Sequence, residues 1–265
     1  MIVPAENHDM KKPNVLVFSG YGLNCEEETK VAFEMAGAKA DIVHINDLIA
    51  KPSILKNYQI ASIPGGFAYG DDTGAGKAYG NRVKQHLSKE LEAFLSRDTL
   101  MIAICNGFQV ATSAGILPGA LIANDSARYI CRWVDLEVKS SSPWLKGISR
   151  LSVPIAHGEG KYFADKKTLE SLKKNGALAL RYTKGEISKH FDLPANPNGA
   201  LMDIAGVTAR DGRVLGLMPH PERGVRFTQL PHWTYLKEQY VRAGKKLPAD
   251  GPGIQIFKNA VKYFR

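Results

Sequence analysis

The stretch that most constrains this chain is Leu100-Met101-Ile102-Ala103-Ile104-Cys105-Asn106-Gly107-Phe108-Gln109. Five apolar residues run into a cysteine, and Val110 to Ala114 continue to Gly115, the pattern of a short helix stopped by glycine. Strand, cysteine, helix is the pattern of a nucleophile elbow, in which a sharp turn holds one side chain out at the carboxyl end of a buried strand. The small Ala103 and Gly107 on either side let such a turn close. An ordinary thiol, with a pKa near ~8.5, is only a few per cent thiolate at neutral pH. A helix start favours the anion, and the N–H of Asn106 can face a developing oxyanion. On this stretch alone, a buried core cysteine ahead of a helix is an equal alternative.

Strands and helices alternate before the elbow. Asn14 to Ser19 reads as a buried strand ending at a glycine turn. Asn24 offers an N-cap with Glu27 at capping-box spacing, opening a helix through Val31, Phe33 and Met35 to Gly37. Ala40 to Ile45 and Ile60 to Ile63 read as further strands, the latter ending in Pro64-Gly65-Gly66-Phe67. Val83, Leu87, Leu91, Phe94 and Leu95 share one face of a helix over Asn81 to Leu95. This alternation predicts an α/β fold: a mixed, mostly parallel central sheet with helices on both faces, flavodoxin-like in class. In such sheets the site lies beyond the carboxyl ends of the strands, where Pro64–Phe67 and Cys105 both fall.

The second half changes style. Tyr129 to Val138, Leu151 to Ala156 and Ala177 to Tyr182 read as strands, and Asp211-Gly212 joins Gly206–Ala209 to Val214–Met218 in a hairpin. These are antiparallel additions to the sheet. Residues 227–253 read as an extended excursion before a closing helix faced by Ile254, Phe257, Val261 and Phe264. The whole of 1–265 is expected to be one domain with a polar extension over 1–12.

Composition excludes several classes. No apolar run approaches the ~20 residues that cross a bilayer, and the opening dozen residues carry no apolar signal core. Three scattered cysteines form neither a disulfide framework nor a CxxC metal site, so a reducing cytoplasm is the expected compartment. The net charge of +9 is spread without a long basic run. A solvated surface, or attraction to an acidic protein partner, is expected over nucleic-acid binding.

The strand Val214-Leu215-Gly216-Leu217-Met218 ends in Pro219-His220-Pro221-Glu222. In extended chain a His and a carboxylate two apart point the same way, so Glu222 can orient His220 and His220 can take the thiol proton. A solvated turn after a strand is the plain alternative.

Cys105 with Gln109, followed much later by His220-Pro221-Glu222, resembles the triad-type glutamine amidotransferases (class I). Closer wording comes from Gly22-Leu23-Asn24-Cys25, Pro64 to Asp71, Ile104 to Gln109, Ala156-His157-Gly158-Glu159-Gly160, and Asn196 to Gly199. Together with Leu217 to Glu222, these resemble the glutaminase subunits of phosphoribosylformylglycinamidine synthases over nearly the whole chain. The resemblance implies hydrolysis of glutamine to glutamate and ammonia, the ammonia passing to a synthetase subunit in purine synthesis. It implies Cys105 as nucleophile, His220 as base and then acid, and Glu222 as orienter. It further implies an oxyanion hole from Gly66, Phe67 and Asn106, and substrate contacts from Gly65, Gln109, Asn124, Arg128 and Tyr129. No cofactor or metal is expected on this chain; ATP and magnesium are expected on the synthetase, with a small third subunit as a further partner.

The sequence departs from the family at Ala103, where the elbow usually begins with glycine, and in the loop 71–76. The loop and the 227–253 excursion suggest a longer variant with modified partner contacts. Another thiol hydrolase of the same architecture, or a non-catalytic interaction subunit, are the competing readings. Cys25, without an elbow or an obvious base, reads as structural, supporting the floor of the site, and Cys131 reads as core. His157 is open between a turn residue, a partner-interface residue and a rival base, with interface ranked above catalysis, and His232 reads as solvated surface.

Overall fold

The computed structural model describes residues 12–71 and 74–265. The extension up to Lys11, and Asp72 and Thr73 of the 71–76 loop, lie outside the described residues. The chain order is β1 (Asn14–Ser19), α1 (Glu26–Met35), β2 (Lys39–His44), α2 (Ile45–Ala50), β3 (Ile60–Ile63), α3 (Lys77–Leu95), β4 (Leu100–Ile104) and α4 (Asn106–Ser113). Then come β5 (Ala120–Ile122), β6 (Ile130–Val138), β7 (Arg150–His157), β8 (Lys161–Phe163), α5 (Lys166–Lys174), β9 (Leu180–Thr183) and α6 (Glu186–His190). The chain closes with β10 (Ile204–Ala209), β11 (Val214–Leu217), α7 (Trp233–Arg242) and α8 (Ile254–Tyr263).

Among the described residues nine strands form one sheet in the order β2-β1-β3-β4-β11-β10-β9-β6-β7. The pairings from β2 across to β11 are parallel, and those from β11 across to β7 are antiparallel. The chain leaves β1 in one direction to reach β2 and crosses in the other to reach β3 and β4. Right-handed crossovers therefore put α1 and α3 on opposite faces. On one face α1 and α8 pack together, with Phe33 edge-on to Phe257 at 4.9 Å and to Trp144 at 6.4 Å. On the other, α3 packs against α4. The central parallel strands β3 and β4 are wholly buried, and β4 is apolar throughout, as burial on both faces requires. A separate ribbon pairs β5 with β8.

Several boundaries shift from the sequence expectation. Cys25, not Asn24, caps α1, without a side-chain hydrogen bond, because the Asn24 oxygen accepts from the Cys25 thiol. Helix α3 starts at Lys77, ahead of Asn81. The 227–253 excursion holds a 3-10 turn (Phe227–Gln229) and the ten-residue α7, so it is not simply extended. Its charged residues sit at helical spacing on a surface helix with no buried side chain. Cys131 is exposed, pointing away from the core on β6. Among the described residues no helix is long and apolar enough to cross a membrane.

Candidate active site

Strand pairing brings the two halves of the site together. In the parallel β4–β11 pair Ile104 lies opposite Leu217, so both strands end at the same rim. Cys105 follows one strand and Met218-Pro219-His220 follows the other; the Cys105 N–H donates to Leu217 O at 2.8 Å, and the His220 N–H to Pro154 O at 2.8 Å. Cys105 adopts φ 50°, ψ −108°, outside the ordinary wells for a residue with a Cβ. Such strain persists only where the surroundings impose it, here between a buried strand and the first turn of α4. Gly107 is required at the next step, because a Cβ there would lie 2.0 Å from the Ile63 carbonyl oxygen.

His220 and Glu222 are both buried, and His220 Nδ1 donates to Glu222 Oε1 at 2.5 Å. Burial opposes a charged imidazole. The Glu222 carboxylate, and after it the charge of Cys105, outweigh it and hold His220 well above the ordinary histidine range. The Cys105 thiol also reaches Ala156 O at 3.7 Å, at the end of β7. Gly65 makes room for this cluster: a Cβ there would stand 2.6 Å from His220 Cε1.

Two loops meet above the cysteine. The Asn106 N–H opens α4 and has no intrahelical acceptor. Of the loop amides, Phe67 N–H is taken by Gly22 O at 2.9 Å, whereas Gly66 N–H meets no backbone acceptor among the described residues. Of the three N–H groups expected at an oxyanion hole, those of Gly66 and Asn106 are thus without a backbone acceptor among the described residues, and that of Phe67 is taken. The Phe67 ring instead leans on Tyr129, centroids 6.1 Å apart, and both rings are exposed at the mouth. Burial first, and then the charge of Cys105, raise the Tyr129 phenol.

Two expected substrate contacts turn inward. Gln109 donates to Glu159 O at 2.6 Å and accepts from Asn106 Nδ2 at 2.7 Å. Buried Asn124 donates to Arg128 O and His157 O, each at 2.9 Å, and accepts from Gly160 N at 3.0 Å. Both amides are held by the protein itself; of the other expected contacts Arg128 and Tyr129 are exposed, whereas Gly65 is buried against His220. His157, expected at an interface, is buried with Nδ1 3.1 Å from Asn124 Oδ1. Burial, followed by the charge of His220, lowers its pKa to about 4. His232 is likewise buried, its Nε2 2.9 Å from Glu186 Oε1.

Cys25, expected to be structural and to support the floor of the site, is buried beside His220. It does have a base beside it: single ligand atoms of Cys25, His220 and Glu222 all lie within 4.8 Å of one another. Arg223 Nη2 donates to Cys25 Sγ at 2.9 Å, across 198 positions of sequence. Those three side chains are types that can ligate a metal. However, His220 Nδ1 is engaged by Glu222, and a guanidinium on the sulfur opposes a second cation. No local spacing signals this contact, since Cys25 arrives from the start of α1 and Arg223 from beyond β11.

Residues 12–264 match the CobB/CobQ-like glutamine amidotransferase domain. The chain is 48% identical to the phosphoribosylformylglycinamidine synthase subunit PurQ of Methanococcus maripaludis, covering 95% of this chain and 97% of that one. It is 42% identical to the subunit of the same name from Dehalococcoides mccartyi, covering 97% and 99%. Among solved structures it superposes on a chain of PurLQS from Thermotoga maritima with a TM-score of 0.72 at 29% identity, covering 96% and 100%.

Proposed function

Because the chain belongs to the CobB/CobQ-like glutamine amidotransferase family, we propose that it is the glutaminase subunit of a phosphoribosylformylglycinamidine synthase. In this reading it hydrolyses glutamine and hands ammonia to a synthetase subunit that uses ATP and magnesium. The names of its relatives, matched over nearly their full length, support that assignment, and the PurLQS structure supports a synthetase and a third small subunit as partners. The observation that carries the chemistry is the elbow cysteine and the buried His220–Glu222 pair leaving one sheet rim from neighbouring strands.

The reaction divides between these residues. His220 takes the Cys105 thiol proton, and the sulfur attacks the glutamine Cδ. Glu222 on Nδ1 keeps the imidazole oriented and stabilises its cationic form. The N–H groups of Gly66 and Asn106 meet the tetrahedral oxyanion, a contribution of roughly 3 kcal/mol per donor in comparable sites. His220 then gives its proton to the leaving ammonia, which leaves a γ-glutamyl thioester on Cys105. Water, deprotonated by His220, attacks the thioester and releases glutamate.

The test is Cys105→Ala in the complete complex. Glutamine-dependent synthesis is lost, while synthesis from added ammonium salts continues at the wild-type rate. Equal loss of both reactions would reject the division of labour. Labelling by an electrophilic glutamine analogue, read by mass spectrometry, falls on Cys105 and not on Cys25.

A further inference from the structure

The His157-Gly158-Glu159-Gly160 turn has no part in the reaction just described, yet the protein invests many contacts in it. Asn124 grips His157 O and the Gly160 N–H, Asn198 Nδ2 donates to Gly160 O at 2.7 Å, and Gln109 Nε2 donates to Glu159 O at 2.6 Å. The turn follows directly on Ala156, whose carbonyl faces the Cys105 sulfur at 3.7 Å. A rigid turn is thus clamped beside the nucleophile. Its one side chain that reaches solvent is Glu159.

The Glu159 carboxylate has little company. Oε2 accepts from the Ala75 N–H at 3.2 Å, and among the described residues no Lys, Arg or His pairs with it. Glu159 is thus a partly solvated carboxylate with one backbone donor and room for a cationic ligand. Glutamine supplies one: its α-carbon carries an ammonium and a carboxylate. The same Asn124 amide that holds this turn also holds Arg128 O at 2.9 Å, and the Arg128 guanidinium is exposed and in no ion pair among the described residues. One buried clamp therefore ties together two segments that carry unpaired charges of opposite sign.

We propose that Glu159 is a specificity residue that receives the α-ammonium of glutamine, with Arg128 facing the α-carboxylate. This rests on the glutaminase reading above. Gln109 and Asn124, whose amides are engaged within the protein, act as positioning residues for it.

The experiment compares glutamine with glutaramate, the same amide lacking the α-amino group, in the assembled complex. Wild type prefers glutamine. Glu159→Gln, which keeps an acceptor for Ala75 N–H, lowers kcat/KM for glutamine by about tenfold or more, chiefly through KM. The preference over glutaramate narrows by a similar factor, and Glu159→Asp falls between. A loss shared equally by the two substrates, or an unchanged KM for glutamine, would overturn the assignment. Wild-type complex that fails to hydrolyse glutamine would instead overturn the glutaminase reading, and the proposal with it.

Discussion

Buried histidines on either side of Cys105 titrate in opposite directions, and the difference lies in their partners. His157 has only an uncharged amide on Nδ1, so burial dominates and its pKa falls to about 4. His220 has a carboxylate and two thiols, and its pKa rises well above the usual range. The consequences for stability have opposite signs. The depressed His157 binds fewer protons folded than unfolded between about pH 6.5 and about pH 4. It therefore lowers stability as pH falls through that window, by up to about 3 kcal/mol. The elevated His220 contributes stability below about pH 6.5, lost as pH rises through its folded value. In His157→Gln, then, the drop in unfolding free energy from about pH 7 to about pH 5 is smaller than in wild type. Urea denaturation at the two pH values reads this, and equal drops would show that His157 is not held neutral.

The elements that matter most are β4 and α4, joined through one strained residue. The helix approaches β3 so closely that Gly107 touches the Ile63 carbonyl, and a backbone oxygen cannot swing aside as a flexible side chain can. Gly107→Ala is expected to destabilise the fold by roughly 1–3 kcal/mol through overpacking. Moving the start of α4 also shifts Cys105 and the Asn106 N–H together, so glutaminase activity falls further than stability alone explains. Chemical denaturation and turnover on the same sample separate the two effects; a variant with wild-type activity would mean the elbow tolerates a wider turn. The elbow itself was legible in sequence because a strand, a cysteine and a helix are local patterns. Helix α7 was not, since Pro, Gly and charge mask helical spacing on a helix that buries no side chain.

At the scale of the molecule, the proposed catalytic groups gather at one rim, which is edged with exposed aromatic rings, Phe67 and Tyr129 among them. Aromatic surface of this kind is characteristic of ground awaiting a partner. The isolated chain is therefore expected to be a weak glutaminase, with kcat/KM rising at least about tenfold when the synthetase covers the mouth. Steady-state kinetics with and without the partner decides it, and equal rates would show that the free chain is already complete.

Read as a sequence, this chain determined its alternating elements, the elbow at Cys105, the His220–Glu222 pair and its family resemblance. Each of these is a local spacing or a run of residue types, and both survive in one dimension. Only the tertiary structure decided which polar groups the fold had already claimed: Phe67 N–H, Gln109 and Asn124 are engaged, while Gly66 N–H has no backbone acceptor and Glu159 no cation among the described residues. It also decided that Cys25 and Arg223 would meet beside His220. Hydrogen-bond capacity is limited and is claimed by whatever folding brings near, so a polar residue's freedom to bind substrate depends on neighbours far away in sequence.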